Sequence, residues 1–278
     1  MKRSAMMVLL AAGILALAGA ASAASIGVSF HVSGRTDAIL APDAIAGVVA
    51  QENWNNWLLA ERWGSATPNP SLSSAKDSSG SSTAMSASLS LLGNRTTYSY
   101  AATHMWWQLS PSLTTGDNRL MGCGEDGTEF GNSQTPPTTA GDEIQLSLAK
   151  VPYQHYDLII YVGHHNSIAN TSVVDLGFSV VEGPSLYVRT SGFDGTFTES
   201  KATSASALPT VGAADYVRFT GLTGDVTVLM SQLYQQSGNA NQGGGWSGFQ
   251  IVEVPEPATM SLLAIGGVTA LLRRRRSA

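Results

Sequence analysis

Residues 51–57, Gln-Glu-Asn-Trp-Asn-Asn-Trp, carry the most distinctive side-chain chemistry of this 278-residue chain. A sugar is held by laying its apolar C–H face on an aromatic ring while amides hydrogen-bond its hydroxyls. Trp54, Asn55, Asn56 and Trp57 supply both kinds of group within four consecutive positions. They are candidate glycan contacts, with Trp106 and Trp107 as further aromatic candidates and Trp63 and Trp246 more remote. The opposing reading places Trp54 and Trp57 in the core, and solvent exposure separates the two.

Other chemistry is sparser. Asp117, Glu125 and Asp126 could offer oxygen ligands to a structural Ca²⁺, but the Asp-x-Asp-x-Asp-Gly calcium loop is absent. His164 and His165 are adjacent, with His155 upstream and His31 and His104 distant. None stands at a metal-ligand spacing such as His-Glu-x-x-His. Cys123 is the sole cysteine, so no intramolecular disulfide can form, and a buried thiol is expected there. No Gly-x-Ser-x-Gly elbow and no phosphate-binding glycine loop with a lysine occurs. The expectation is therefore a body without enzymatic activity and without a cofactor, a structural calcium ion aside.

Positioning any such side chains falls to short strands. Residues 25–32 alternate Ile26, Val28, Phe30 and Val32 with smaller or polar partners. Further strands are expected over 83–91, 143–148, 158–162, 173–181, 185–189, 214–219, 225–233 and 248–254. The run at 158–162 is continuously apolar, as in a strand buried on both faces. Glu182-Gly183-Pro184 reads as a turn, and Gly221-Leu222-Thr223-Gly224 as a hairpin connection. Residues 64–82, 117–142 and 235–245 read as loops. The only helix expected in the body covers 43–57, weakened by Gly47. The pattern predicts an all-β protein, an antiparallel β-sandwich of jelly-roll type.

Both ends lie outside that body. Lys2 and Arg3, the apolar run 6–18 and the small residues Ala21-Ser22-Ala23 predict a signal peptide over 1–23, cut after Ala23 by signal peptidase. The body then covers 24–253, and 254–278 forms a third segment. In it Val254-Pro255-Glu256-Pro257 precedes an uncharged, mostly apolar run over 258–272, and Arg273, Arg274, Arg275 and Arg276 follow. Such a run predicts a short transmembrane helix with its arginines on the cytoplasmic side of the inner membrane. Its 15 residues fall below the roughly 20 that span a bilayer without adaptation. Without the two ends, nine basic residues face nineteen acids, a net charge near −10. That balance argues against nucleic-acid binding.

The C-terminal segment resembles the PEP-CTERM sorting signal of Gram-negative bacteria, also known as the ice-binding-protein C-terminal motif. Val254-Pro255-Glu256-Pro257, the apolar run with Gly266-Gly267 and the arginine cluster stand in the same order at the chain's end. The body has no Thr-x-Thr array of the kind that would point to ice binding. The resemblance implies an exosortase-type membrane protease as partner, membrane anchoring before the tail is removed, and delivery to the cell surface or extracellular matrix. It also implies a setting of exopolysaccharide and biofilm. The expected function is an exported structural or adhesive module. The alternatives are a carbohydrate-binding module for exopolysaccharide and a glycan hydrolase or lyase.

Overall fold

A computed structural model describes residues 23–32, 39–60, 71–91, 105–107, 114–125, 144–164, 173–235 and 244–255. Among the described residues thirteen strands run in chain order: β1 (Ser25–Val32), β2 (Asn55–Ala60), β3 (Ser71–Leu72), β4 (Ser86–Leu91), β5 (Met105–Trp107), β6 (Cys123–Glu125), β7 (Ile144–Ala149), β8 (Tyr156–His164), β9 (Val174–Val180), β10 (Ser185–Thr190), β11 (Tyr216–Leu222), β12 (Val226–Gln235) and β13 (Gly244–Glu253). A five-residue helix, α1 (Gly116–Leu120), and a 3-10 segment, Ala205–Thr210, are the only helical pieces named among the described residues.

The strands form two sheets. One runs β11-β8-β13-β1-β2, with β6 added to β13 and β5 to β6; the other runs β10-β9-β12-β7-β4-β3. Both sheets feed a single cluster. Ile26, Val28, Phe30, Leu158, Ile160, Phe249 and Ile251 enter it from the first sheet. Leu89, Leu146, Leu176, Phe178, Val228 and Met230 enter it from the second. Alternation does this: every second residue of each strand points the same way.

The first sheet is covered on its other face as well. Residues 39–54, α1 and residues 193–197 lie across it, burying Ile159, Tyr161, Tyr216 and Val252 beneath Leu40, Ala46, Trp54, Leu120, Met121 and Phe193. This double cover explains the unbroken apolar run of β8: Leu158, Ile160 and Val162 face the core, while Ile159 and Tyr161 face the cover.

Four expectations need correction. The sheets are not wholly antiparallel, because β1 and β2 run parallel in the register Val28↔Asn55 to His31↔Leu58. No helix covers 43–57. Ala46 and Gln51 bridge instead, Gly47 and Asn53 take positive φ (92° and 57°), and the chain enters β2 at Asn55. Those left-handed residues break helical continuity, so the apolar residues there serve a surface cover. Residues 221–224 do not close a hairpin: β11 pairs with β8 and β12 with β7 and β9, so the turn carries the chain from one sheet to the other. The expected loops 64–82 and 117–142 contain β3, most of α1 and β6. The turn at 182–184 does join a hairpin, with β9 and β10 paired Ser179↔Ser185 through Val174↔Thr190.

The expected signal peptide, but for Ala23, and the tail beyond Pro255 lie outside the described residues. Among the described residues no helix is long and apolar enough to cross a membrane.

Candidate functional site

The aromatic–amide segment is built into the body. Trp54 is 5% exposed and Trp57 4% exposed, so neither offers a ring face to a sugar. Trp57 meets Phe30 edge-on at 5.6 Å in the core, and Trp54 stacks edge-on against Tyr161 at 6.0 Å under the cover. The amides are equally occupied. Asn55 donates to the carbonyls of Gly27 (2.9 Å) and Lys76 (2.8 Å) and accepts from the Lys76 N–H. Asn56 accepts from the Leu40 N–H and donates to its carbonyl, both at 2.9 Å. Asn53 donates to the Ser78 carbonyl. The candidate glycan contacts Trp54, Asn55, Asn56 and Trp57 thus act as a clasp that fastens two loops to the β1–β2 edge. Trp246 is fully buried; only the backbone of Trp106 and Trp107 is described, in β5, and Trp63 lies outside the described residues.

Behind the clasp sits a polar knot. Tyr161 Oη donates to Gln250 Oε1 at 2.8 Å and accepts from the Val48 N–H. Gln250 Nε2 donates to the Val49 carbonyl (2.6 Å) and to Gln51 Oε1 (2.7 Å). A Cβ on Gly27 would lie 2.6 Å from Trp54 Cε3, so only glycine lets the indole rest on β1 there.

Of the proposed calcium ligands, only Asp117 has a described side chain. Asp117 lies in the first turn of α1, and its Oδ1 accepts the Gly47 N–H at 2.8 Å. Burial raises its pKa above the ordinary carboxyl value, against the pull of that bond. Glu125 belongs to β6, and Asp126 lies outside the described residues. No group of three His, Cys, Asp or Glu suited to a metal ion occurs among the described residues. His31 is buried in β1, His155 is exposed beside β8, and His104 and His165 lie outside the described residues.

Sequence reasoning missed Asp215. Its carboxylate accepts the Thr198 N–H at 2.8 Å, while the backbone pairs with Thr198 in return. Burial, assisted by the nearby charge of Asp194, pushes its pKa up to about 7. The residues around it form a strap: Glu199 bridges to Tyr216 of β11 and Ala202 to Tyr187 of β10, tying the two sheets along one side. Nothing in Ala-Ala-Asp-Tyr marks this in the sequence.

A second missed feature is the outer face of the smaller sheet. Ser86, Ser88 and Ser90 of β4, Gln145 and Ser147 of β7, Thr227 and Ser231 of β12, and Ser179 and Ser185 of β9 and β10 are all half-buried on it. One side of the Tyr187 ring lies over Gly177, where a Cβ would meet it at 3.2 Å. Beside it Arg189 forks onto Asp175 with two bonds of 2.7 Å, leaving the face without net charge at that point. The signal was present as Asp-x-Gly-x-Ser in β9 and Ser-x-Tyr-x-Arg in β10, once the alternate residues are read as an outer face.

The two ends of the body meet at one place. Glu253 N–H donates to the Ala24 carbonyl at 2.8 Å, and Val254 N–H donates to the His155 carbonyl at 2.9 Å. Val254 is 39% exposed and Pro255 is exposed, so the ladder ends there. The class defined so far is a two-sheet β protein whose last strand runs straight into a Pro-rich junction. A model of the PEP-CTERM protein-sorting motif matches residues 253–276, from the last residue of β13 to the fourth terminal arginine. The chain therefore carries the sorting signal of an exported protein, anchored in the membrane until an exosortase, a membrane protease, processes it. No curated protein and no solved structure matches the chain.

Proposed function

We propose that the protein is a surface or matrix component whose body is a jelly-roll sandwich acting without catalysis, as a structural or adhesive module. The sorting motif at 253–276 carries the reading. The order β11-β8-β13-β1 facing β10-β9-β12-β7 supports the sandwich, since it is the order of two interlocked Greek keys. Cell fractionation tests the destination. The wild-type chain is expected at the surface or in the matrix without Arg273–Arg276, and Glu256→Ala in the membrane with them. Matrix protein that still carries the arginines would contradict the reading.

A second reading, exopolysaccharide binding, rests on the open face around Tyr187 rather than on Trp54 and Trp57. A half-exposed ring beside a charge-balanced Arg–Asp fork and short hydroxyls has the chemistry of a neutral-sugar platform. Residues 24–255 are expected to bind the producer's own polysaccharide saturably, and Tyr187→Ala to lose most of that binding while melting normally. Equal binding by both would remove the face from consideration.

A further inference from the structure

The junction between the body and its sorting signal has almost no slack. Glu253 is the last residue of β13, and β13 lies between β8 and β1 rather than at an edge. At its end Glu253 pairs with Tyr156 on one side and donates to Ala24 on the other, and Val254 is held by His155. A protease needs its substrate extended and free of other partners. Freeing residues 249–253 would require β13 to leave both neighbours and Phe249 and Ile251 to leave the core. Openings of that kind approach the free energy of global unfolding. The described ladder ends with Glu253, and Pro255 has no N–H to extend it. Only Pro255, Glu256 and Pro257 separate Val254 from the apolar run, and fully extended they reach about 10 Å.

We propose that the end of the body carrying Ala24, His155 and Val254 is a membrane-facing stop: the folded last strand fixes the processing point at the first residues beyond Val254. This rests on the sorting reading above and adds where and how the protease is admitted. Cleavage divides one peptide bond past Val254, with water supplying the hydroxyl to the new carboxylate and a proton to the new amine. The same end is bounded by the turn at Gly224 and Asp225, which accept from Tyr156 Oη and the Lys150 N–H and so tie it to the ends of β7 and β8. The protease must work in the narrow space between that surface and the bilayer. Access to this space, rather than recognition of the motif alone, limits the rate of tail loss.

Two measurements test this. The first digests the full chain, purified in detergent, with proteinase K and reads the new C-termini of the last-strand fragment by mass spectrometry. They are expected at Val254 or later; termini within 244–253 would overturn the stop whatever the fate of the tail in cells. The second follows tail loss in the exporting host for the wild type, for a six-residue Gly-Ser insertion between Val254 and Pro255, and for Glu256→Ala. The insertion is expected to speed tail loss severalfold while the cut stays with the motif. An unchanged rate would overturn the limit on access. Equal retention of the tail by wild type and Glu256→Ala would instead sink the sorting reading, and the digest would still decide the stop.

Discussion

Gln250 ties the cover to β13 with one buried amide. It holds the Val49 carbonyl, Gln51 and the Tyr161 hydroxyl together. Gln250→Leu keeps the volume but strands the Val49 carbonyl, the Gln51 amide oxygen and the Tyr161 phenol, at about 1–3 kcal/mol for each group left without a partner. The urea midpoint is expected to fall with an unchanged slope; an unmoved midpoint would show that water replaces the amide. Asp215 acts in the opposite sense. Burial raises its pKa from 3.8 to about 7, so the folded chain holds a proton that the unfolded chain releases. Its contribution to stability falls as pH climbs through that window, and the cost is complete above about 7. Asp215→Asn keeps an oxygen for Thr198 and removes the titration. Relative to wild type, the variant is expected to gain stability between pH 4 and pH 8, and parallel stability curves would refute the assignment. Neither residue was legible in the sequence. Nor could the sequence decide Trp54 to Trp57, because their partners are backbone groups of Gly27, Leu40 and Lys76 and rings brought in by β1 and β8. An amide that could serve a sugar can serve a loop, and only the fold decides which.

Strands that alternate apolar residues with small or polar ones announced themselves. The residues of β1, β7 and β9 alternate in the sequence as they do across the sheet, and β1 has the expected bounds, Ser25–Val32. Elements set by long-range pairing did not. In β2, Asn55 and Asn56 are poor strand formers, and parallel pairing with β1 supplies what propensity lacks. The stretch 39–54 has the apolar content of a helix but wraps the sheet, because Gly47 and Asn53 turn it with positive φ. The turn at 221–224 has hairpin residues yet changes sheets, a choice made by where β7, β8 and β9 already lie. One glycine governs a close approach between two paired strands. At Gly248, beside the irregularity that follows Trp246, a Cβ would run into the Val28 carbonyl of β1 and approach Leu120 at 3.3 Å. The obstacle is backbone, so β1 must shift. Gly248→Ala is expected to destabilise by about 1–3 kcal/mol and to raise amide exchange along β1 more than along β9. Uniform acceleration, or none, would show that the β1–β13 contact is not the one affected.

The whole molecule closes around its final segment. β13 sits between β8 and β1, and Trp246, Phe249 and Ile251 fill the core from it. Before residues 244–253 arrive, β1 and β8 lack their shared neighbour, and the first sheet is split into β11-β8 and β1-β2. Folding is therefore coupled to export of the whole body, and it finishes next to the segment that holds the chain in the membrane. This order of events is expected to show in truncations. Residues 24–255 should unfold in one cooperative transition with the far-UV spectrum of a sheet protein. Residues 24–243 should show no cooperative transition and should bind a hydrophobic dye, because removing a central strand exposes both sheets' inner faces. A cooperative melt of the shorter chain would mean that the core is held without β13, and the coupling between export and folding would then fail with it.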